Sequence, residues 1–103
     1  MNNKFGLRIE DINYIIKTLE KYDHITKAYI FGSRAMGNYK QGSDIDIAIV
    51  GEKVNFTDVA TLHAALEDES PMPYFFDIVA MNTLKNEDLR SHIYTKGIEI
   101  YKK

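Results

Sequence analysis

Two aspartates separated by one residue, Asp44 and Asp46, open an apolar run that continues Ile47-Ala48-Ile49-Val50. On an extended chain, side chains two positions apart share a face and start about 7 Å apart, so both carboxylates can converge on one cation. Hard divalent cations such as Mg²⁺ take oxygen ligands of this kind. Held close on an apolar strand the two carboxylates repel each other and resist desolvation, and a divalent ion relieves both costs. Ten residues separate Asp44 from an upstream Gly32-Ser33 pair. The glycine lets backbone amides come close to an anion, and a serine at a helix start offers an N–H and a hydroxyl, a geometry suited to phosphate oxygens. A third carboxylate, Asp77, is the one charge in Tyr74-Phe75-Phe76-Asp77-Ile78-Val79-Ala80. A carboxylate buried without a partner costs several kcal/mol, so Asp77 needs a partner. If its strand lies beside that of Asp44 and Asp46, it completes a three-carboxylate cluster.

The elements that must position these groups follow from periodicity. Ile9, Ile12, Ile15, Ile16 and Leu19 recur at three- and four-residue steps among charged residues, which predicts an amphipathic helix over about 8–22. Ala28-Tyr29-Ile30-Phe31 reads as a short buried strand stopped by Gly32, and residues 33–37 as one helical turn, with Ser33 satisfying amides at its start. Asn38 to Ser43, with Gly37 and Gly42 at its margins, is a loop. Over 44–50 the chain alternates, placing Asp44, Asp46, Ala48 and Val50 on one face and Ile45, Ile47 and Ile49 on the other. Asn55, with Asp58 three residues on, starts a helix over about 56–68. Pro71 and Pro73 break that helix and introduce the 74–80 strand. Leu84, Leu89 and Ile93 lie on a last helix capped by Asn86 and stopped by Gly97, and Ile98 to Tyr101 add an edge strand. Strands alternating with helices make the fold class α/β (α+β), a small mixed sheet with helices packed around it.

At 103 residues, 45% hydrophobic and 27% charged, residues 1–103 are expected to form a single domain. A net charge of −2 argues against a surface built to neutralise a nucleic-acid backbone, so no direct nucleic-acid partner is expected. With no cysteine there is neither a disulfide framework nor a thiolate metal site. The first residues lack the apolar core of a signal peptide, and no run is long enough to cross a bilayer, so the expected location is cytoplasmic.

Gly32-Ser33, ten residues, Asp44-x-Asp46 and a later Asp77 on another strand together resemble the nucleotidyltransferase superfamily that includes DNA polymerase beta, poly(A) polymerase and the aminoglycoside nucleotidyltransferases. The short length and the wording Phe31-Gly32-Ser33-Arg34-Ala35 resemble its minimal nucleotidyltransferases, the MNT family, whose members often act as antitoxins paired with a HEPN-domain ribonuclease. The resemblance spans roughly residues 8–101 and implies the polymerase-beta-like fold. One departure is that Met36 stands where many relatives carry a second arginine after Gly-Ser-Arg-Ala.

The resemblance implies that Asp44, Asp46 and Asp77 hold two Mg²⁺ ions, that Gly32 and Ser33 grip the nucleotide phosphates, and that Asp77 also takes the acceptor's proton. The implied reaction moves AMP from ATP to a tyrosine of a cognate HEPN toxin, releasing pyrophosphate, within a hetero-oligomer. The alternatives are an antitoxin that only masks its toxin and a transferase acting on a small aminoglycoside. Arg34 is either a charge-assisted phosphate contact or a solvated surface residue and stays outside the catalytic set. Lys40 and Ser43 flank the site, and His24, His63 and His92, isolated in sequence, are assigned to packing or solvent.

Overall fold

The computed structural model describes residues 5–40 and 42–103. The reading of residues 1–4 as the start of a segment without a leader's apolar core, and Gln41 of the 38–43 loop, lie outside the described residues. The element order is α1 (Ile9–Leu19), β1 (Lys27–Phe31), α2 (Gly32–Met36), β2 (Ile45–Val50), α3 (Phe56–Glu67), β3 (Phe76–Ala80), α4 (Glu87–Lys96) and β4 (Ile98–Lys102). The four strands form one mixed sheet in the order β3-β2-β1-β4. β1 pairs antiparallel with β2 and β4, and β2 pairs parallel with β3, as expected when α3 makes the crossover between them.

The alternation of β2 sorts its residues between two apolar layers. Ile45, Ile47 and Ile49, all fully buried, join Ile30, Ile15, Leu19, Leu62, Leu66 and Phe76 in the main core beneath α1 and α3. On the other face Ala48 joins Phe31, Met81 and Ile93 in a smaller cluster under α4. The aspartates lie on this second face, where the cover is thinner.

Local signals set the helix ends. Asn55 and Asp58 form a reciprocal capping box at the start of α3, with Asp58 N–H donating to Asn55 Oδ1 at 2.9 Å and Asn55 N–H to Asp58 Oδ2 at 3.1 Å. Asn86 caps α4 by accepting from Leu89 N–H at 3.0 Å. α2 differs from expectation: it begins at Gly32, its N-cap is Phe31, and no side chain caps it, so Ser33 sits inside the first turn. Among the described residues no helix is long and apolar enough to cross a membrane.

Replacing Asn55 with Ala removes one half of the capping box and leaves an amide of α3 unsatisfied. We expect a loss of about 1 kcal/mol, read as a drop of about 4–8 °C in the thermal midpoint of a domain of this size.

Candidate active site

Three strand ends meet at one edge of the sheet. Because β1 runs antiparallel to β2, the end of β1 lies beside the start of β2, and Phe31 pairs with Asp46. Because β3 runs parallel to β2, its start lies there too, and Asp46 pairs in register with Asp77. Neighbouring strands lie about 4.8 Å apart, so the Asp46 and Asp77 side chains leave the same face side by side. Gly32 follows Phe31 directly at φ +72°, a backbone state that side chains rarely adopt. A Cβ at Gly32 would run into the Asp46 carboxylate at Oδ2, so only glycine fits this close approach.

The electrostatics follow from that crowding. Asp46 is half-buried, and its carboxyl is pushed up from 3.8 to about 6, first by desolvation and then by the charges of Asp77 and Asp44. His92 and Arg34 pull the other way. Burial and like charge therefore outweigh the pull of His92 and Arg34, and the surroundings of Asp46 call for added positive charge.

The structure brings Gly32, Asp46 and Asp77 together and places Asp44 two residues away at the mouth of β2. It corrects the burial expected of Asp77, which is exposed. β3 is an edge strand: Phe76 turns into the main core at 5% exposure, while Asp77 beside it faces out and Phe75 is 69% exposed. Among the described residues no three acidic or histidine side chains converge tightly enough to hold a metal ion by themselves. Mg²⁺ suits such an arrangement, since it is ordinarily held by one or two carboxylates together with substrate phosphates and water. The carboxylates present thus fit a phosphate-bridged Mg²⁺.

Arg34 is not the solvated surface residue that the sequence allowed. It is 2% exposed, its Nε and Nη2 donate to Ser43 O at 3.2 and 2.9 Å, and its Nη1 donates to Phe5 O at 2.8 Å. Its guanidinium lies 5.3 Å from the Tyr39 ring centre and 5.0 Å from that of Tyr74. It therefore ties the N-terminal segment and the 38–43 loop to α2, one residue from Asp44. Ser43 turns that loop, its Oγ accepting from Lys40 N–H at 2.8 Å. Met36 is exposed at the end of α2.

None of the three histidines is merely packed. His24 Nδ1 lies 2.8 Å from Asp58 Oδ2 and holds that carboxyl below its ordinary value despite desolvation, aided by Asn55 N–H. His63 meets the edge of β3. His92 is the site residue that spacing did not reveal: its Nε2 accepts the Gly32 N–H at 3.2 Å, and its ring stands edge-on to Phe31 with centres 6.2 Å apart. The Gly32 amide expected to face an anion is thus bonded to α4. The one available signal was helical phase, since Leu89, His92 and Ile93 share the inner face of α4.

The family model for polymerase beta nucleotidyltransferases matches residues 13–103, and the chain belongs to that family. No curated protein matches the sequence. Among solved structures, a toxin–antitoxin complex with AMP-PNP superposes at a TM-score of 0.76 and 24% identity, over 89% of this chain and 73% of that one. The complex of tri-AMPylated Shewanella oneidensis HEPN toxin with MNT antitoxin gives 0.70 and 22%, over 91% and 71%. A substituted form of the MntA-HpeT toxin–antitoxin gives 0.72 and 26%, over 88% and 72%. These likenesses agree with the mixed sheet and the helix placement described above.

The Asp46 carboxyl has a higher pKa in the fold than the ordinary 3.8, so folding favours its protonated form. Its contribution to stability is present in full below about pH 4 and is lost as pH rises through about 6. Thermal melting in metal-free buffer across that interval should show the wild type losing stability relative to Asp46→Asn, which stays neutral throughout. Parallel curves would contradict the crowding.

Proposed function

We propose that this chain is a Mg²⁺-dependent protein adenylyltransferase acting as an antitoxin. On this reading it moves AMP from ATP to a tyrosine hydroxyl of a cognate HEPN ribonuclease, releases pyrophosphate and silences the ribonuclease. The observation that carries it is the register pairing of Asp46 with Asp77 beside Gly32, with the Asp46 carboxyl raised to about 6 by burial and then by its acidic neighbours. Family membership supports nucleotidyl transfer, and the toxin–antitoxin complexes with AMP-PNP and with tri-AMPylated toxin support the nucleotide and the partner.

When bound, two Mg²⁺ ions would supply charge to the phosphates and acidify the attacking hydroxyl. Asp44, Asp46 and Asp77 would hold them. Ser33, with its N–H and hydroxyl at the first turn of α2, and Gly32 would orient the β- and γ-phosphates and balance charge building on the leaving pyrophosphate. For the Gly32 amide to do so, His92 must release it. Asp77, exposed on an edge strand, would be open to an acceptor hydroxyl and placed to take its proton. The proposal includes one catalytic domain spanning residues 1–103, a cytoplasmic location and a hetero-oligomer with the toxin.

The masking reading draws on one observation, that the acidic side chains do not converge as a closed metal cluster among the described residues. The two separate cleanly. With Mg²⁺, ATP labelled at the α-phosphate and a candidate cognate HEPN ribonuclease, label should appear on the ribonuclease. The Asp44→Asn/Asp46→Asn double variant should lose transfer by on the order of a hundredfold or more. Equal suppression of toxicity by that variant at equal expression would favour masking.

A further inference from the structure

The free edge of β3 is held by side chains where a fifth strand would otherwise bond. Phe76 N–H donates to Glu67 Oε2 at 2.8 Å, and His63 Nε2 lies 3.0 Å from Phe76 O. His63 Nε2 also lies 2.9 Å from Glu67 Oε2, one helical turn along α3. A carbonyl only accepts, so His63 Nε2 carries the proton and shares it between Phe76 O and Glu67. Both outward backbone groups of Phe76 are therefore satisfied by one helix, while on the inner side Ile45 N–H donates to Phe75 O at 3.0 Å.

This clamp falls on the residue before Asp77. β3 has a single neighbouring strand, so without outer partners its first residues would be free to fray, and fraying there moves Asp77 relative to Asp46. Phe76 also plants its side chain in the main core, so fixing its N–H and C=O sets the direction in which Asp77 leaves the opposite face. We propose that Glu67 and His63 are positioning residues that hold Asp77 opposite Asp46 for the transfer step; this rests on the reaction proposed above. Neither side chain need touch substrate, and the phosphate-binding residues Gly32 and Ser33 lie across β2 on a different element.

The test is steady-state transfer to the HEPN ribonuclease with ATP and MgCl₂, with rates counted per folded molecule from circular dichroism at the assay temperature. Glu67→Ala should lower kcat about tenfold, a size common for groups that orient a metal-binding side chain, with KM for ATP within about twofold of wild type. Glu67→Gln keeps an oxygen for Phe76 N–H and should return kcat to within about twofold of wild type. His63→Ala, which leaves the Phe76–Glu67 bond, should show a smaller loss in the same parameter and keeps the test open if Glu67→Ala does not fold. A folded Glu67→Ala with wild-type kcat, an equal loss in Glu67→Gln, or a change confined to KM would overturn the proposal. Asp77→Asn serves as the control. Its inactivity beside a fully active Glu67→Ala rejects the clamp alone, whereas an active Asp77→Asn rejects both the clamp and the catalytic reading beneath it.

Discussion

The row Phe31–Asp46–Asp77, one residue from each of three adjacent strands, is the constraint on which the site depends. It combines an antiparallel and a parallel pairing, so it exists only because a short turn and helix return β1 to β2 while the longer α3 crossover carries β2 to β3. A slip of one residue in either register would turn a carboxylate onto the isoleucine face, where nothing could compensate it. The main core prevents the slip, since Ile45, Ile47 and Ile49 are all fully buried there. The energy that fixes the chemistry thus comes from the opposite side of the sheet.

Gly32 has two roles in that row. Its positive φ turns the chain from β1 into α2, and its missing Cβ leaves the space that the Asp46 carboxylate fills. Its amide is held by His92 of α4, which also faces Phe31. α4 therefore does more than cover the smaller apolar cluster, because it reaches the one point where backbone turn and carboxylate meet.

The elements were legible because each carries a local signature: the three-four spacing of α1, the alternation of β2, the Asn55–Asp58 box and the stop at Gly97. The neighbourhood of the 44–50 and 74–80 strands was legible too, since a strand-helix-strand unit favours it. What the chain did not disclose depends on which sheet edge a strand occupies and what a loop brings back. Asp77 sits among apolar residues, yet Phe76 goes in and Phe75 out on a strand at the edge of the sheet, where side chains of α3 rather than another strand bond its outer side. Ser33 resembles a cap, but α2 starts one residue earlier. Arg34 finds its partners in the carbonyls of Phe5 and Ser43 and in two tyrosine rings, none of them within helical reach and none marked by charge.

Arg34 also bears on why the acidic edge tolerates its own charge. A guanidinium this deeply buried, bonded to carbonyls and set near two rings, has no carboxylate among its hydrogen-bond partners in the described residues. Its field reaches Asp46 and lowers that carboxyl, though less than desolvation, Asp77 and Asp44 raise it. A carboxylate in place of its carbonyl partners would cancel that field where the acidic edge needs it. Backbone carbonyls accept one hydrogen bond from each of its three nitrogens while leaving the net charge in place, so one side chain closes the loop before Asp44 and offsets part of the repulsion behind it. The remainder stays uncompensated at the outward-facing end of the sheet, which is where a cation bridged by phosphate would be drawn.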